Sequence, residues 1–212
     1  MIIVNFKTYA EAMGDKATAL AEACGKASKK TGQRVISVPT ATDLLRLEDI
    51  DSEVFSQHVD PVEPGSHTGS TLVENVKQAG ATGTLINHSE KRMQPNQIEK
   101  AVERADQAGM TTVVCAQDPE ECGTYSRFKP DFIAYEPPEL IGGDTSVSEA
   151  KPELIARAVE ESEVPVLTGA GIKTREDVEK SVELGCHGVL VASGVVKSED
   201  TYEEILELCK GL

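Results

Sequence analysis

The chain has 212 residues, enough to bury one sizeable hydrophobic core, and its composition is typical of a globular protein. Its 36 acidic and 21 basic residues give a net charge of -15, which makes nucleic acid and anionic membranes poor partners. No apolar run approaches the roughly 18 residues that a membrane-spanning helix requires.

Short apolar runs alternate with amphipathic segments along the whole chain, and this alternation predicts eight strand-helix units. The predicted strands, each with its helix, are 2–6 and 12–30, 35–38 and 43–50, 54–59 and 71–79, 83–86 and 96–108, 111–115 and a short helix from 118, 132–135 and 148–161, 164–168 and 174–184, and 188–191 and 200–210. The strands are apolar on both faces, as parallel strands covered by helices must be.

Terminal residues support several of the predicted helices. Thr174 and Asp177 have the spacing of a capping box, in which each side chain bonds the backbone N–H of the other. Gly80, Gly109 and Gly185 stand where helices should end, because glycine readily adopts the left-handed conformation of a helix C-terminus.

Eight such units favour a single-domain α/β fold over residues 1–212, the closed (β/α)8 barrel, with its site at the C-terminal ends of the strands. The alternative is an open doubly wound sheet, which needs a glycine fingerprint in its first turn. Residues 5–9 contain no glycine. The loop 60–70 is too long for a simple connection and is expected to have a function.

The stretch after the sixth predicted strand combines an acid with the features of a lid. Glu136 follows the strand directly, and the six residues after it form the predicted lid: Pro137, Pro138, Glu139, Leu140, Ile141 and Gly142. The prolines stiffen its start, and an apolar tip that closes over a carboxylate excludes water and strengthens it as a base. The alternative is a strand-end glutamate that caps the next helix or pairs with a surface lysine.

Polar residues also follow the first and fourth predicted strands. Asn5 and Lys7 are two apart, so on an extended chain both side chains point into the barrel mouth. An asparagine within an apolar run is unfavourable unless it is hydrogen-bonded, although Lys7 alone could be a solvated lysine. His88 lies in the polar segment 87–92 and could donate a hydrogen bond and carry protons. The other three histidines, His58, His67 and His187, have no such setting.

Glycine-rich turns follow the seventh and eighth predicted strands, at 169–171 and 192–194. Such turns at helix N-termini expose backbone N–H groups, and barrels build their phosphate sites from these two loops. The joint position of the two turns predicts an anion site, whose helix dipole would offset the acidic surface.

Together these motifs resemble the triosephosphate isomerase family in its compact archaeal form. The match comprises Asn-x-Lys at 5–7, His-Ser-Glu at 88–90, Tyr-Glu-Pro at 135–137, Gly-Ala-Gly at 169–171 and Ala-Ser-Gly at 192–194, in the family's order and spacing. The resemblance covers nearly the whole chain. It implies an isomerase of glycolysis and gluconeogenesis that interconverts glyceraldehyde 3-phosphate and dihydroxyacetone phosphate with no metal or cofactor.

The resemblance implies a role for each matching residue. Glu136 would be the base that moves a proton between two carbons, and His88 the neutral electrophile that polarises the carbonyl. Lys7 and Asn5 would bind the substrate and stabilise the enediolate oxygen. The backbone N–H groups of four residues would hold the phosphate: Ile141, Gly171, Ala192 and Ser193. Ser89 and Glu90 would support the catalytic groups.

The loop 60–70 resembles the protruding third loop of the family, which enters a neighbouring subunit. The resemblance therefore implies a homo-oligomer, a dimer or a tetramer, in which Thr68 lies near the partner's Lys7; a flexible surface loop is the alternative. Two features depart from the family. After the lid's first glycine, Gly142, the family usually has threonine or a similar residue, whereas this chain has Gly143 followed by Asp144. Longer members add a serine in the loop after strand seven, which Gly171-Ile172 lacks.

Two other functions remain open from the residues. A phosphate-binding barrel aldolase needs a Schiff-base lysine at a strand end in the middle of the barrel, where this chain has Glu136; Lys7 is the only lysine close enough to compete. A non-catalytic sugar-phosphate binding protein would not need both Glu136 and His88.

The cysteines and the first residues predict a cytoplasmic protein. Five widely spaced cysteines without a Cys-x-x-Cys pair argue against structural disulfides and zinc ribbons and favour buried thiols in a reducing compartment. The opening residues 1–6 lack the basic segment and cleavage site of a leader. The dispersed acids are typical of a halophile's acidic surface, an ordinary acidic cytosolic protein being the alternative.

Overall fold

Eight parallel strands close into a barrel in chain order. The structure is a computed structural model that describes residues 1–140 and 146–212. The strands are β1 (Ile2–Asn5), β2 (Val35–Val38), β3 (Glu53–Ser56), β4 (Gly83–Ile86), β5 (Thr111–Ala116), β6 (Phe132–Tyr135), β7 (Val166–Thr168) and β8 (Gly188–Val191). Each strand pairs with the next, and β8 pairs with β1 in the register Val189 to Ile2. The predicted single-domain (β/α)8 barrel is confirmed.

Helices surround the barrel. In the described part of the chain the α-helices are α1 (Asp15–Thr31), α2 (Val73–Gln78), α3 (Pro95–Gln107), α4 (Pro119–Ser126), α5 (Val147–Ala150), α6 (Pro152–Glu161), α7 (Arg175–Glu183), α8 (Ser193–Val196) and α9 (Thr201–Cys209). Short 3-10 helices cover Ala10–Ala12, Leu44–Leu47 and Pro138–Leu140. Thr174 and Asp177 form the predicted capping box, and the three predicted terminal glycines adopt positive φ angles.

The strand side chains divide between two packed layers. One set fills the barrel interior: Ile3, Ile36, Val38, Phe55, Leu85, Val113, Cys115, Ala134, Leu167 and Leu190. The alternate residues face outward and pack under the helices, which is why the strands are apolar on both faces. Phe55 uses the space left by Gly83, where a Cβ atom would lie 2.5 Å from the phenyl ring.

Two of the predicted helices are wrong, because one segment forms a 3-10 turn and the other forms two separate helices. The segment 43–50 contains only a 3-10 turn, in which buried Leu44 and Leu47 share one face at the three-residue repeat of that helix. The predicted helix 148–161 is divided into α5 and α6 at Lys151, because Pro152 lacks an N–H group and restricts the preceding backbone. The second unit is therefore a strand without an α-helix.

Several strands and helices are shorter than predicted. β1 ends at Asn5, whose side chain accepts the Lys7 N–H, and β3 spans 53–56 rather than 54–59, with the Ser56 hydroxyl donating to the His58 carbonyl after it. α1 begins at Asp15, after Gly14 with its positive φ of 60°.

All five cysteines are buried and free. Within the described residues, no helix is long and apolar enough to cross a membrane.

Candidate active site

The first strand end places Lys7 in an unusual backbone conformation. Its φ of 46° lies in the left-handed region, so the expectation of an extended chain from Asn5 to Lys7 is wrong. The Asn5 side chain accepts the Lys7 backbone N–H at 3.0 Å, and Gln57 donates to the Lys7 carbonyl at 2.9 Å. These contacts satisfy the buried asparagine and hold the turn. The Lys7 side chain is 12% exposed, and its ammonium group donates to Glu90 at 2.9 Å.

His88 follows β4 by two residues and is buried. Its Nδ1 atom accepts the backbone N–H of Glu90 at 3.2 Å. An imidazole nitrogen that accepts a hydrogen bond carries no proton, so the proton of the neutral ring is on Nε2. Nε2 has no hydrogen-bond partner in the described part of the chain. The ring therefore offers a donor to a ligand in the barrel mouth.

Glu136 follows β6, and its backbone N–H donates to Ala116 at 2.8 Å. The residue is 4% exposed, and its Oε2 atom has no hydrogen-bond partner among the described residues. It lies above Gly169, where a Cβ atom would come within 2.8 Å of the Glu136 Cγ atom. Gly169 therefore provides the room that the carboxylate occupies.

Glu136 and His88 face each other across the barrel mouth. The distance between Oε2 of Glu136 and Nε2 of His88 is 3.7 Å, too long for a hydrogen bond. Two buried polar atoms without partners are unfavourable, typically by about 1–3 kcal/mol each, unless a ligand satisfies them. A buried carboxylate can take a proton from carbon while an N–H donor of the neighbouring imidazole polarises a carbonyl.

The turns after β7 and β8 form a pocket beside Glu136, lined by Lys7, Tyr9, Gly171, Ala192 and Ser193 among others. Ala170 and Gly171 both have positive φ angles, of 74° and 72°, which turn the backbone sharply. No hydrogen bond within the described residues uses the N–H groups of Gly171 and Ser193. The Lys197 ammonium group lies 4.5 Å from the Tyr9 ring centroid and adds positive charge near this pocket.

Other members of the predicted site differ in their placement. Glu90 contacts both Lys7 and His88, in keeping with a supporting position. Ser89 is half-buried, and its hydroxyl makes no hydrogen bond to the described residues. Of the predicted lid, Pro137, Pro138 and Leu140 are described, whereas Ile141 and Gly142 lie outside the described residues, as do Gly143 and Asp144; the Glu139 side chain is likewise not described.

Two side chains near the site were not predicted from the sequence to belong to it. His58 has a setting after all, because it lines a cavity of about 450 Å³ with Lys7 and His88. Its Nε2 atom lies 3.1 Å from Asp60, and burial outweighs this contact and lowers the pKa of His58. Cys115, interpreted as an apolar core residue, lies beside the Glu136 carboxylate. Burial and the Glu136 charge raise the pKa of this thiol well above its usual range.

A (β/α)8 barrel that holds a buried carboxylate and an imidazole together at the C-terminal ends of its strands has the architecture of a barrel enzyme. The family model for triosephosphate isomerase matches residues 1–210. The chain therefore belongs to the triosephosphate isomerase family.

Individual relatives agree with the family model over their full length. The triosephosphate isomerase of Thermoplasma volcanium is 45% identical to the chain, and that of Methanocaldococcus jannaschii is 43% identical; each alignment covers 99% of both proteins. That of Methanothermus fervidus is 44% identical over 98% of this chain and 96% of its own. A crystal structure of triosephosphate isomerase from Bartonella henselae has a TM-score of 0.73 at 21% identity, covering 99% and 97% of the two chains, and supports the fold.

Proposed function

We propose that the chain interconverts D-glyceraldehyde 3-phosphate and dihydroxyacetone phosphate through an enediolate, the activity of its family in glycolysis and gluconeogenesis. The observation that carries the proposal is the pair formed by Glu136 Oε2 and His88 Nε2, both buried, unpartnered within the described residues and 3.7 Å apart. A base and a neutral donor held this close suit one proton transfer between two adjacent carbons.

In the proposed reaction Glu136 removes a proton from one carbon of the substrate and returns it to the neighbouring carbon. The electron pair of the broken C–H bond forms the carbon–carbon double bond of the enediolate, and the π pair of the carbonyl moves to its oxygen, which accepts a hydrogen bond from Nε2 of His88. His88 then gives its Nε2 proton to that oxygen and takes the hydroxyl proton of the neighbouring carbon, whose oxygen becomes the new carbonyl as Glu136 returns the carbon-bound proton. Lys7 supplies positive charge to the enediolate oxygen, and Asn5 holds the Lys7 turn that delivers it. The proton balance closes without an external acid, base, metal or cofactor.

The proposed phosphate site uses the backbone N–H groups of Gly171, Ala192 and Ser193, with Ile141 from the lid. Support comes from the positive φ angles at 170 and 171 and from the N–H groups of Gly171 and Ser193, which have no partner in the described part of the chain. Ser89 and Glu90 are proposed as supports, Glu90 through its contacts with Lys7 and His88. The lid 137–142 would keep water from the enediolate, whose phosphate would otherwise be eliminated.

We also propose a cytoplasmic homo-oligomer, dimer or tetramer, in which the loop 60–70 reaches the neighbouring subunit. Residues 63–69 of this loop are all exposed, and Met13 and Leu45 expose 46% and 64% of their surface. An interface between subunits would cover such exposed apolar side chains and the exposed loop. The 450 Å³ cavity next to Lys7 and His88 would receive Thr68 of the partner.

Size-exclusion chromatography with light scattering tests the oligomer on wild type and on the double variant Met13→Asp with Leu45→Asp. Two buried charges should dissociate the oligomer, whereas the matched change Val182→Asp, on the exposed face of α7, should leave it intact. A wild-type monomer at micromolar concentration would contradict the proposal.

The function is tested by a coupled assay of glyceraldehyde 3-phosphate isomerisation in both low and molar KCl, on wild type and Glu136→Gln. Loss of activity in the variant, on the order of 10²–10⁴-fold, would support both the isomerase and its base. The exposed change Glu183→Gln on α7 is the matched control.

Borohydride trapping with dihydroxyacetone phosphate addresses the aldolase alternative, since only a Schiff base at Lys7 would be reduced to a stable adduct. Inactive wild type that still binds the phosphate would favour a binding protein.

A further inference from the structure

Asn87 lies between β4 and His88 in a backbone conformation that few residues adopt. Its φ of 64° is in the left-handed region, and the residue is fully buried. Glycine adopts this conformation without strain, and asparagine is among the few other residues that visit it. A glycine would be sufficient to form this turn, so the presence of the Asn87 side chain requires a separate explanation.

The Asn87 amide uses both of its ends. Nδ2 donates to the carbonyl of Cys115 on β5 at 2.9 Å, and Oδ1 accepts the backbone N–H of Met93 at 2.9 Å. The orientation of the amide is unambiguous, because a carbonyl can only accept and an N–H group can only donate. One side chain therefore closes the loop 87–93 at its far end and ties it to the neighbouring strand.

The same place on β5 anchors Glu136. Asn87 bonds to Cys115, and the backbone N–H of Glu136 donates to the next residue, Ala116, at 2.8 Å. Two consecutive residues of one strand thus hold both groups of the candidate site. The turn that presents His88 begins at Asn87 and is closed by the N–H of Lys91, which donates to the His88 carbonyl at 2.7 Å.

We propose that Asn87 is a positioning residue that sets the place and the ring orientation of His88 relative to Glu136. By holding the loop against Cys115 and Met93, it keeps the Glu90 N–H directed at Nδ1 and so keeps the His88 proton on Nε2. Asn87 itself contacts no substrate. The proposal rests on the isomerase function proposed above.

Two variants distinguish the effect of the Asn87 side-chain hydrogen bonds from the effect of backbone strain. Asn87→Gly removes both hydrogen bonds and keeps the left-handed backbone free of strain, whereas Asn87→Ala removes the same bonds and adds strain. Both should lower kcat about 10- to 100-fold, as displacements near 1 Å do, and change KM by less than about twofold, since the phosphate turns are elsewhere. Asn87→Ala should have the lower melting temperature of the two.

Nitrogen-15 NMR of labelled histidine supplies a readout that does not depend on turnover. In wild type His88 should show one protonated Nε2 and one accepting Nδ1, with the signals assigned through His88→Gln. In both Asn87 variants the two nitrogens should average between tautomers, because the Glu90 N–H no longer holds Nδ1 in place.

The control is Ser126→Ala on α4, whose buried hydroxyl also makes one donor contact, to Gly123, and one acceptor contact, from Glu163. It should lose stability while kcat and the His88 signals stay unchanged. Asn87 variants that behave like this control would overturn the proposal. If wild type proves inactive, the proposed function fails, and an unchanged His88 tautomer in both variants would separately overturn the role of Asn87.

Discussion

Oε2 of Glu136 and Nε2 of His88 lie 3.7 Å apart, and neither atom has a hydrogen-bond partner in the described part of the chain. They come from strand ends separated by 48 positions, and both depend on β5, through Ala116 for Glu136 and through Asn87 and Cys115 for His88. A barrel of parallel strands can hold two such groups rigidly, because the strand that anchors both is fixed by ladders on its two sides.

Glu136→Asp is expected to depress turnover with little effect on phosphate binding. The shorter side chain withdraws the carboxylate from the substrate carbon by about the length of one C–C bond, and a misplacement near 1 Å costs on the order of 10²-fold in rate. Steady-state kinetics would measure this as a fall in kcat at nearly constant KM. Unchanged turnover would remove Glu136 from its proposed role.

Gly169→Ala is expected to lower kcat because the added methyl group displaces the proposed base, Glu136. The added Cβ atom would lie 2.8 Å from Cγ and 2.9 Å from Oε1 of Glu136, so the carboxylate must move. A loss on the order of 10²-fold in kcat is expected from steady-state kinetics. Gly123→Ala is the matched control, since its Cβ would lie 3.1 Å from the Glu161 carbonyl, far from the site. It should reduce stability alone; equal kinetics in the two variants would contradict this explanation.

Asp177 is expected to make stability depend on pH in the acidic range. Burial alone would raise the pKa of its carboxyl, but hydrogen bonds from Ser146, Lys173 and Thr174 outweigh burial, and the pKa lies below its ordinary value of 3.8. Because the folded pKa is the lower one, the carboxylate stabilises the fold above the unfolded value, and this contribution disappears as the pH falls through the folded pKa.

Urea unfolding of wild type and Asp177→Asn between pH 3 and pH 7 measures this contribution. The difference in the free energy of unfolding should be constant at neutral pH and should shrink once the pH falls below about 4, near the reference pKa of an aspartic acid. A difference that persists undiminished at pH 3 would show that the Asp177 hydrogen bonds do not depend on its charge.

Salt is expected to stabilise the fold or its assembly. A net charge of -15 produces self-repulsion, which molar salt screens by shortening the Debye length from about 10 Å at 0.1 M to about 3 Å. The melting temperature should therefore rise from dilute buffer to molar KCl, by about 2–4 °C for each kcal/mol gained. NaCl at equal ionic strength should act alike. A melting temperature that stays flat would count against this prediction.

The sequence predicted the barrel because its signals are local. Strand runs, helical spacing and terminal glycines depend on residues within one turn or one strand of each other, and eight such units admit few arrangements. Local signals gave the wrong helix where the sequence also fitted a second local structure. The segment 43–50 satisfies both a helical and a 3-10 spacing through Leu44 and Leu47, and Pro152 divides a helix that the apolar pattern continues.

The chain by itself determined the fold class and the polar residues at the strand ends, Asn5, Lys7, His88 and Glu136, since parallel strands bring their C-terminal ends to one mouth. Only the tertiary structure decided how these groups are held. The left-handed turn at Lys7 depends on Gln57, and the Lys7 ammonium group on Glu90, 83 positions away. Contacts of that range leave no periodic trace in a sequence, because hydrogen-bond partners meet only after the barrel has closed.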